Sequence, residues 1–293
     1  MSACPITSKP GSLCRREGGS IPRRRFLRHI GSAALATVSV GTVYPLVEAK
    51  WCRVNRWTIV LPGLPQAFRG TTVALISDVH HGPFVPLAYI RHVVAMSNAL
   101  SPDLVLLGGD YVSRHWHYIA PGIEVLGKLK AKLGRFAVLG NHDHWESATK
   151  TWQALAGEGI QTVDNSGSWI ERKGARLRIC GVGDLWTDTQ NLALALGDAE
   201  RGDAVILLSH NPDYAEQVRD PRVGLILSGH THGGQVVVPG FGAPIVPSRY
   251  GQKYRSGLVQ GPSCQVFITR GVGTVTPPVR FFCRPEIAFL TLT

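Results

Sequence analysis

Seven side chains with oxygen or nitrogen donors stand in five short blocks: Asp78 and His80 in SDVHHG, Asp110 in GGDYV, Asn141 in GNHDHW, His210 in LLSHNP, and His230 with His232 in SGHTHGG. Carboxylate, imidazole and amide oxygen together suit borderline first-row divalent ions such as Mn²⁺, Fe²⁺ or Zn²⁺. They do not suit Cu(I) or an all-oxygen Ca²⁺ site. Seven protein ligands are too many for one such ion that keeps a position open. Two ions sharing a bridging carboxylate resolve the count, and an ion pair stabilises both the attacking and the leaving oxygen of a hydrolysis. The His-x-His pair, His230 and His232, projects both imidazoles from one face of an extended chain. The glycines that follow let the backbone turn or be closely approached.

Taken singly, each of these residues has an ordinary explanation. Asp78 and Asp110 could cap helices, and Asn141 could fill a turn after Gly140. Their common position argues otherwise, because each block lies just past the C-terminal end of an apolar run. TVALIS (72–77), DLVLLGG, RFAVLG, DAVILLS and RVGLILSG are strand-length and nearly continuous, the pattern of strands buried on both faces. Ligands of open α/β sheets bind outside such carboxyl ends. Between the runs, PLAYIRHVVAMSNAL, YIAPGIEVLGKLKAKL and SATKTWQALAGEG have helical spacing, the second interrupted early by Pro121-Gly122 and the third closed by glycine. From Gln161 the texture changes to short alternating runs (QTVDN, SWIERK, RLRICGVG), which predicts an antiparallel group. QVVVPG, CQVFITRG and EIAFLTL predict late β structure. The expectation is one α/β domain with two sheets over residues 51–293.

Residues 1–50 read differently. Of the net charge of +11, about +6 lies in Met1–Ile30, so the rest of the chain carries no long basic run and no nucleic-acid motif. A nucleic-acid partner, and with it an exported nuclease, is disfavoured on that ground. RRRFLR at Arg23–Arg28, followed by the uncharged stretch Ile30–Val47, resembles a twin-arginine export signal. Ser, Thr, Gly and Pro45 dilute that stretch, which therefore reads as a signal more readily than as a strong membrane anchor. Val47-x-Ala49 could serve as the cleavage site. The expected location is periplasmic or membrane-associated, with the twin-arginine machinery as a partner. No two of the six cysteines have CxxC spacing, and nothing in their placement demands a disulfide.

The ordered set D-x-H, G-D, G-N-H-D, H, G-H-x-H over Thr72–His232 resembles the calcineurin-like metallophosphoesterases. The blocks GHTHGGQVVVPG and RGVGTVTPPVRFFCRPEIAFLTL further resemble the membrane-associated, twin-arginine-exported branch, some members of which hydrolyse UDP-2,3-diacylglucosamine. The resemblance implies a two-sheet α-β-β-α sandwich and metal-dependent hydrolysis of a phosphoester or pyrophosphate bond by a metal-activated hydroxide. It implies a cell-envelope or lipid-linked substrate. It assigns Asp78, His80 and His232 to a first divalent ion, Asn141, His210 and His230 to a second, and Asp110 to the bridge. His142 would stand beside the leaving oxygen, with Asp143 orienting its ring. The competing reading is a non-catalytic metal-binding scaffold of the same fold, although no ligand position is missing. Purple acid phosphatases are excluded, since His80 and Ser113 stand where that group has glycine and a ligating tyrosine.

Overall fold

The computed structural model describes residues 23–293; the part of the expected signal at 1–22 lies outside the described residues. The chain divides into two units, with the boundary between Thr42 and Val43. The helix α1 (Arg23–Glu48) runs across that boundary, with Arg23, Arg24, Arg25 and Arg28 exposed near its start. Among the described residues, no helix is long and apolar enough to cross a membrane.

The second unit continues with β1 (Arg53–Ile59), β2 (Thr72–Ile76), α2 (Leu87–Ala99), β3 (Leu104–Leu107), α3 (Ile119–Leu126), β4 (Gly134–Ala137) and α4 (Asn141–Gly157). There follow β5 (Gln161–Thr162), β6 (Ser166–Arg172), β7 (Ala175–Gly181), α5 (Leu192–Leu196), β8 (Val205–Leu208) and β9 (Leu225–Ser228). The last strands are β10 (Gly257–Gln260), β11 (Gln265–Ile268) and β12 (Glu286–Leu292). They form two six-stranded sheets, ordered β1-β12-β2-β3-β4-β5 and β10-β11-β9-β8-β7-β6. The strands β2 to β5 run parallel, as do β7, β8, β9 and β11.

Two-residue alternation sorts each apolar run between two faces. Val73, Leu75, Leu104 and Leu106 meet Ile179, Ile206, Leu208 and Leu227 between the sheets. Ala74, Ile76, Val105 and Leu107 point the other way, onto Ile90 and Val94 of α2 and Ile123 and Leu126 of α3. On the far side, Val205, Leu207 and Ile226 pack under α5 and the 3₁₀ turn Pro212–Glu216. The result is a sandwich with both sheets inside and helical cover outside, the architecture that the resemblance implies. Burying a side chain such as Leu208 or Leu227 on such a face stabilises the fold by about 1.5–3 kcal/mol.

Four local expectations differ from the structure. The helix α3 passes through Pro121 without interruption, because a first-turn residue has no intrahelical N–H bond to lose. The helix α4 starts at Asn141, six residues before the predicted run, and Ser147 inside it has non-helical angles (φ 177°, ψ 100°). The Ser147 Oγ accepts from the Lys150 N–H at 3.3 Å, a capping contact for the second segment. β5 belongs to the first sheet, parallel to β4, while β6 and β7 form the antiparallel pair. QVVVPG forms only isolated bridges, Val236 with Phe281 and Val238 with Gly242. Cys52, Cys180, Cys264 and Cys283 are free and buried.

Candidate metal centre

The β2–β3 ladder continues beyond both strands. Asp78 N–H donates to Gly109 O at 2.9 Å, His80 N–H to Asp110 O at 3.0 Å, and His81 N–H to Tyr111 O at 2.9 Å. This register brings Asp78, His80 and Asp110 to one edge. On the second sheet, β8 and β9 end beside each other, and Gly229 N–H donates to His210 O at 3.0 Å. The two edges then lock together, since His230 N–H donates to the Asp78 Oδ1 at 2.8 Å. There is no room for a side chain at that crossing. A Cβ on Gly229 would stand 2.4 Å from the Asp78 Oδ2.

Five of the seven candidate ligands have left-handed backbone: Asp78 (φ 56°), His80 (51°), Asp110 (58°), His230 (69°) and His232 (52°). Non-glycine residues held there cost of order 1–3 kcal/mol each and persist only where the surroundings impose them. Here the strand-end turns impose them, and each turn aims its side chain across the edge.

Donor atoms of six of the seven buried residues converge. His80 Nε2 is 3.0 Å from His232 Nε2 and 3.5 Å from Asp110 Oδ2. His210 Nε2 lies 3.2 Å from the same Asp110 oxygen and 3.3 Å from His230 Nδ1, and His232 Nε2 lies 3.4 Å from Asp78 Oδ1. These contacts resolve into three sets that could each hold an ion: Asp78–His80–His232, His80–Asp110–His142 and Asp110–His210–His230. Two ligands on one ion, with bonds of about 2.1 Å at tetrahedral or octahedral angles, stand roughly 3.0–3.4 Å apart. Four of the five observed spacings fall in that range, and the fifth, His80 Nε2 to Asp110 Oδ2 at 3.5 Å, lies just beyond it. Asp78 Oδ2 and Asn141 Oδ1 are buried without a hydrogen-bond partner, which is what a cation completes. The arrangement suits a pair of divalent metal ions.

The protonation states of three imidazoles and of Asp110 favour the same reading, while His210 is held in its charged form by the surrounding carboxylates. Burial pulls His80 and His230 down to about 3, leaving neutral imidazoles able to ligate. Burial also lowers His232, with His80 and Arg280 acting in the same direction. Burial opposes ionisation of Asp110, but His210 and His80 outweigh it and hold the carboxylate well below its usual range. His210 is held well above its ordinary value because Asp110, Asp78 and Asp184 overcome its burial. Its Nδ1 lies 2.7 Å from Gly108 O, which directs Nε2 into the cluster.

His142 is half-buried at the start of α4, edge-on to the His80 ring at 4.7 Å and beside Trp145 at the same distance. Its N–H donates to the Asp110 Oδ1 at 2.8 Å. Asp143 does not orient the His142 ring, contrary to the expectation. Its Oδ2 accepts from Asp110 N–H (2.7 Å) and Gly140 N–H (2.9 Å), and its Oδ1 from Tyr111 N–H (2.9 Å). As the third residue of α4 it serves as the carboxylate of a cap. His81 is buried, with Nδ1 2.8 Å from Val85 O. Asp184 accepts from the N–H groups of Trp186 and Thr187 and holds a turn.

Two neighbours of the centre have no signal in the sequence. Trp186 stands edge-on to His230 at 4.3 Å. Arg280 is fully buried, with Nη2 3.4 Å from His232 Nδ1 and Nη1 donating to His232 O at 3.2 Å. The VTPPVRFF stretch gives no hint that its arginine turns inward.

Comparison with known proteins identifies the family. The profile of the calcineurin-like phosphoesterases matches residues 71–234, which span every candidate ligand. The chain is 32% identical to the uncharacterized metallophosphoesterase YkuE of Bacillus subtilis, covering 92% of this chain and 97% of that one. It is 33% identical to the phosphodiesterase YaeI of Escherichia coli, over 93% and 99% respectively. The solved NAD nucleotidase of Haemophilus influenzae superposes with a TM-score of 0.48 and 16% identity, over 69% of this chain and 45% of its own. With the profile covering more than half the chain and the alignments nearly all of it, this protein belongs to the calcineurin-like phosphoesterase family.

Proposed function

We propose that the protein hydrolyses a phosphoester bond with two divalent ions, one held by Asp78, His80 and His232, the other by Asn141, His210 and His230, with Asp110 shared. The observation that carries this reading is the convergence of Asp110 Oδ2 with His80 Nε2 at 3.5 Å and His210 Nε2 at 3.2 Å, one carboxylate oxygen serving both halves. Mn²⁺, Fe²⁺ or Zn²⁺ would each suit the donors. When bound, such ions supply Lewis acidity to a water and to a phosphoryl group.

The chain's own residues set the geometry. Asp110 spends Oδ1 on the His142 N–H, so the backbone of α4 fixes the orientation of its other oxygen. Gly108 O fixes the His210 ring. His142 supplies an imidazole beside His80 that can protonate or stabilise the leaving oxygen. Asp143 is a positioning residue that ties the Asp110 and Gly140 loops together.

For the substrate we propose a phosphodiester or pyrophosphate that is lipid-linked or part of the cell envelope, such as UDP-2,3-diacylglucosamine. A cavity of about 410 Å³ borders His232 and is walled by Val236, Pro244, Ile245, Pro247 and Val275, which favours an apolar substituent. Phe241 and Ile245 stand exposed in the same loop. Export by the twin-arginine machinery and association with the membrane complete the proposal. The motif at Arg23–Arg28 supports export, and zebrafish and bovine relatives, each named as a transmembrane protein with a metallophosphoesterase domain, support membrane association.

The test is turnover of bis-p-nitrophenyl phosphate and of UDP-2,3-diacylglucosamine by chelator-stripped protein reloaded with Mn²⁺. Activity that appears only with the ion is expected. Protein with both ions bound and no turnover across mono- and diesters refutes the enzymatic reading, and turnover of the nitrophenyl ester alone refutes the lipid-linked one.

A further inference from the structure

We infer that Glu48 and the last turn of α1 act as a clamp that positions His232, and that this segment is therefore kept in the working protein rather than removed with the export signal. The inference rests on His232 being a metal ligand.

Glu48 is completely buried. Its Oε2 accepts from Phe282 N–H at 2.9 Å and its Oε1 from Cys283 N–H at 2.6 Å. Three residues earlier, Pro45 O accepts from Arg280 N–H at 3.0 Å. The Tyr44 ring lies edge-on to Phe281 at 5.8 Å. Residues 44–48 thus grip all four positions of the strap 280–283.

That strap in turn holds His232. The Cys283 Sγ donates to His232 O at 3.3 Å, and Arg280 Nη1 donates to the same oxygen at 3.2 Å. The remaining Arg280 donors reach the carbonyls of Arg270, Gly273 and Cys283, each between 2.7 and 3.2 Å. His232 is in the left-handed region (φ 52°), so its carbonyl and ring direction depend on being held from outside. The strap supplies that hold, and Glu48 anchors the strap.

The Val47-x-Ala49 sequence that looks like a processing site lies inside this arrangement, since Ala49 is buried along with Glu48. Cutting the Ala49–Lys50 bond would take the Glu48 carboxylate away. It would leave the N–H of buried Cys283 without its acceptor, an expensive state for a buried donor.

The experiment is a two-site Mn²⁺ titration of full-length, chelator-stripped wild type, Glu48→Gln, Glu48→Ala and the control Ile179→Val, which loosens the core between the sheets. Groups bonded directly to a ligand alter metal affinity by about 10–100-fold. Glu48 acts one contact further away, so Glu48→Ala is expected to weaken one site by roughly fivefold to tenfold. Glu48→Gln, with one acceptor oxygen left, should lie between it and the wild type, and Ile179→Val should leave both constants unchanged. The intact mass of protein purified from its native cell is expected to include Glu48. Glu48 variants with wild-type affinities, or a native chain that begins at Lys50 and binds Mn²⁺ as tightly as the full-length one, overturn the clamp. Wild type that binds no Mn²⁺ overturns the metal reading, and this inference with it.

Discussion

Gly140→Ala isolates one contact on which the centre depends. Gly140 has φ −107° and ψ 177°, extended backbone that alanine adopts freely, so the substitution adds no backbone strain. A Cβ there would lie 2.3 Å from the Asp110 Oδ1 and 2.8 Å from its Cγ. Carbon and oxygen settle near 3.3 Å or beyond, so the carboxylate must retreat by about 1 Å. It has no free direction in which to move, because Oδ1 is bonded to His142 N–H and Oδ2 faces His210 Nε2. A displacement of that size in a positioning group costs about 10²-fold in rate. The crowding itself should cost about 1–3 kcal/mol of stability. The assay is kcat/KM on bis-p-nitrophenyl phosphate at saturating Mn²⁺, read beside thermal unfolding. Gly157→Ala is the control: no atom lies within 4 Å of its Cβ, and it closes α4, where alanine is favoured by up to about 1 kcal/mol. It should keep full activity. A Gly140→Ala enzyme that unfolds like the wild type and works within twofold of it would refute the reasoning.

Asp110→Asn keeps the size of the side chain and an acceptor for His142 N–H but removes the shared charge. We expect kcat to fall by at least about 10³-fold with an unchanged circular dichroism spectrum, and bound metal, measured by mass spectrometry, to drop below two ions. Removing metal with a chelator should lower Tm, because an ion present at 100 times its Kd stabilises the folded state by about 2.7 kcal/mol. For a domain of this size that is roughly 5–10 °C, read by calorimetry with and without Mn²⁺. Asp164 tests pH dependence away from the ions. Burial pushes its carboxyl up to about 6, so the folded protein binds this proton more tightly than the unfolded chain does. Its contribution to stability is complete below about pH 4 and lost as pH rises through about 6. Asp164→Asn should flatten the Tm profile across that window, and an unaltered slope would contradict it.

Much of this architecture is legible in the sequence. Strands buried on both faces must be apolar at every position, so TVALI and LILS announce themselves, and the polar residue that ends each run marks the edge where ligands gather. The strand β1 carries no such mark, because three of its seven residues are exposed and Arg53, Asn55 and Arg56 break the pattern. The start of α4 is hidden because its cap residue is glycine and its first residues, Asn141 to His144, read as a loop of functional side chains. Ser147, the boundary that the pattern predicts, survives as the kink. QVVVPG has strand composition, but Val236 lines a cavity, and Val236 and Val238 make only isolated bridges instead of joining a sheet. The seven donors can be found by type and spacing. The left-handed turns that aim five of them, and the inward turn of Arg280, depend on contacts between distant segments that no local pattern encodes.

The strand β12 lies between β1 and β2, antiparallel to β2 and parallel to β1. A segment that follows every other strand in the chain is therefore wedged between the first two strands, inside the first sheet. Until it arrives, β2 has a bare, wholly apolar margin and β1 has nothing to join, so an interrupted translation product would expose a sticky seam to other chains. Assembly of this half of the sandwich must wait for synthesis to pass Glu286, and fragments ending earlier should collect in inclusion bodies instead of yielding a partly competent hydrolase.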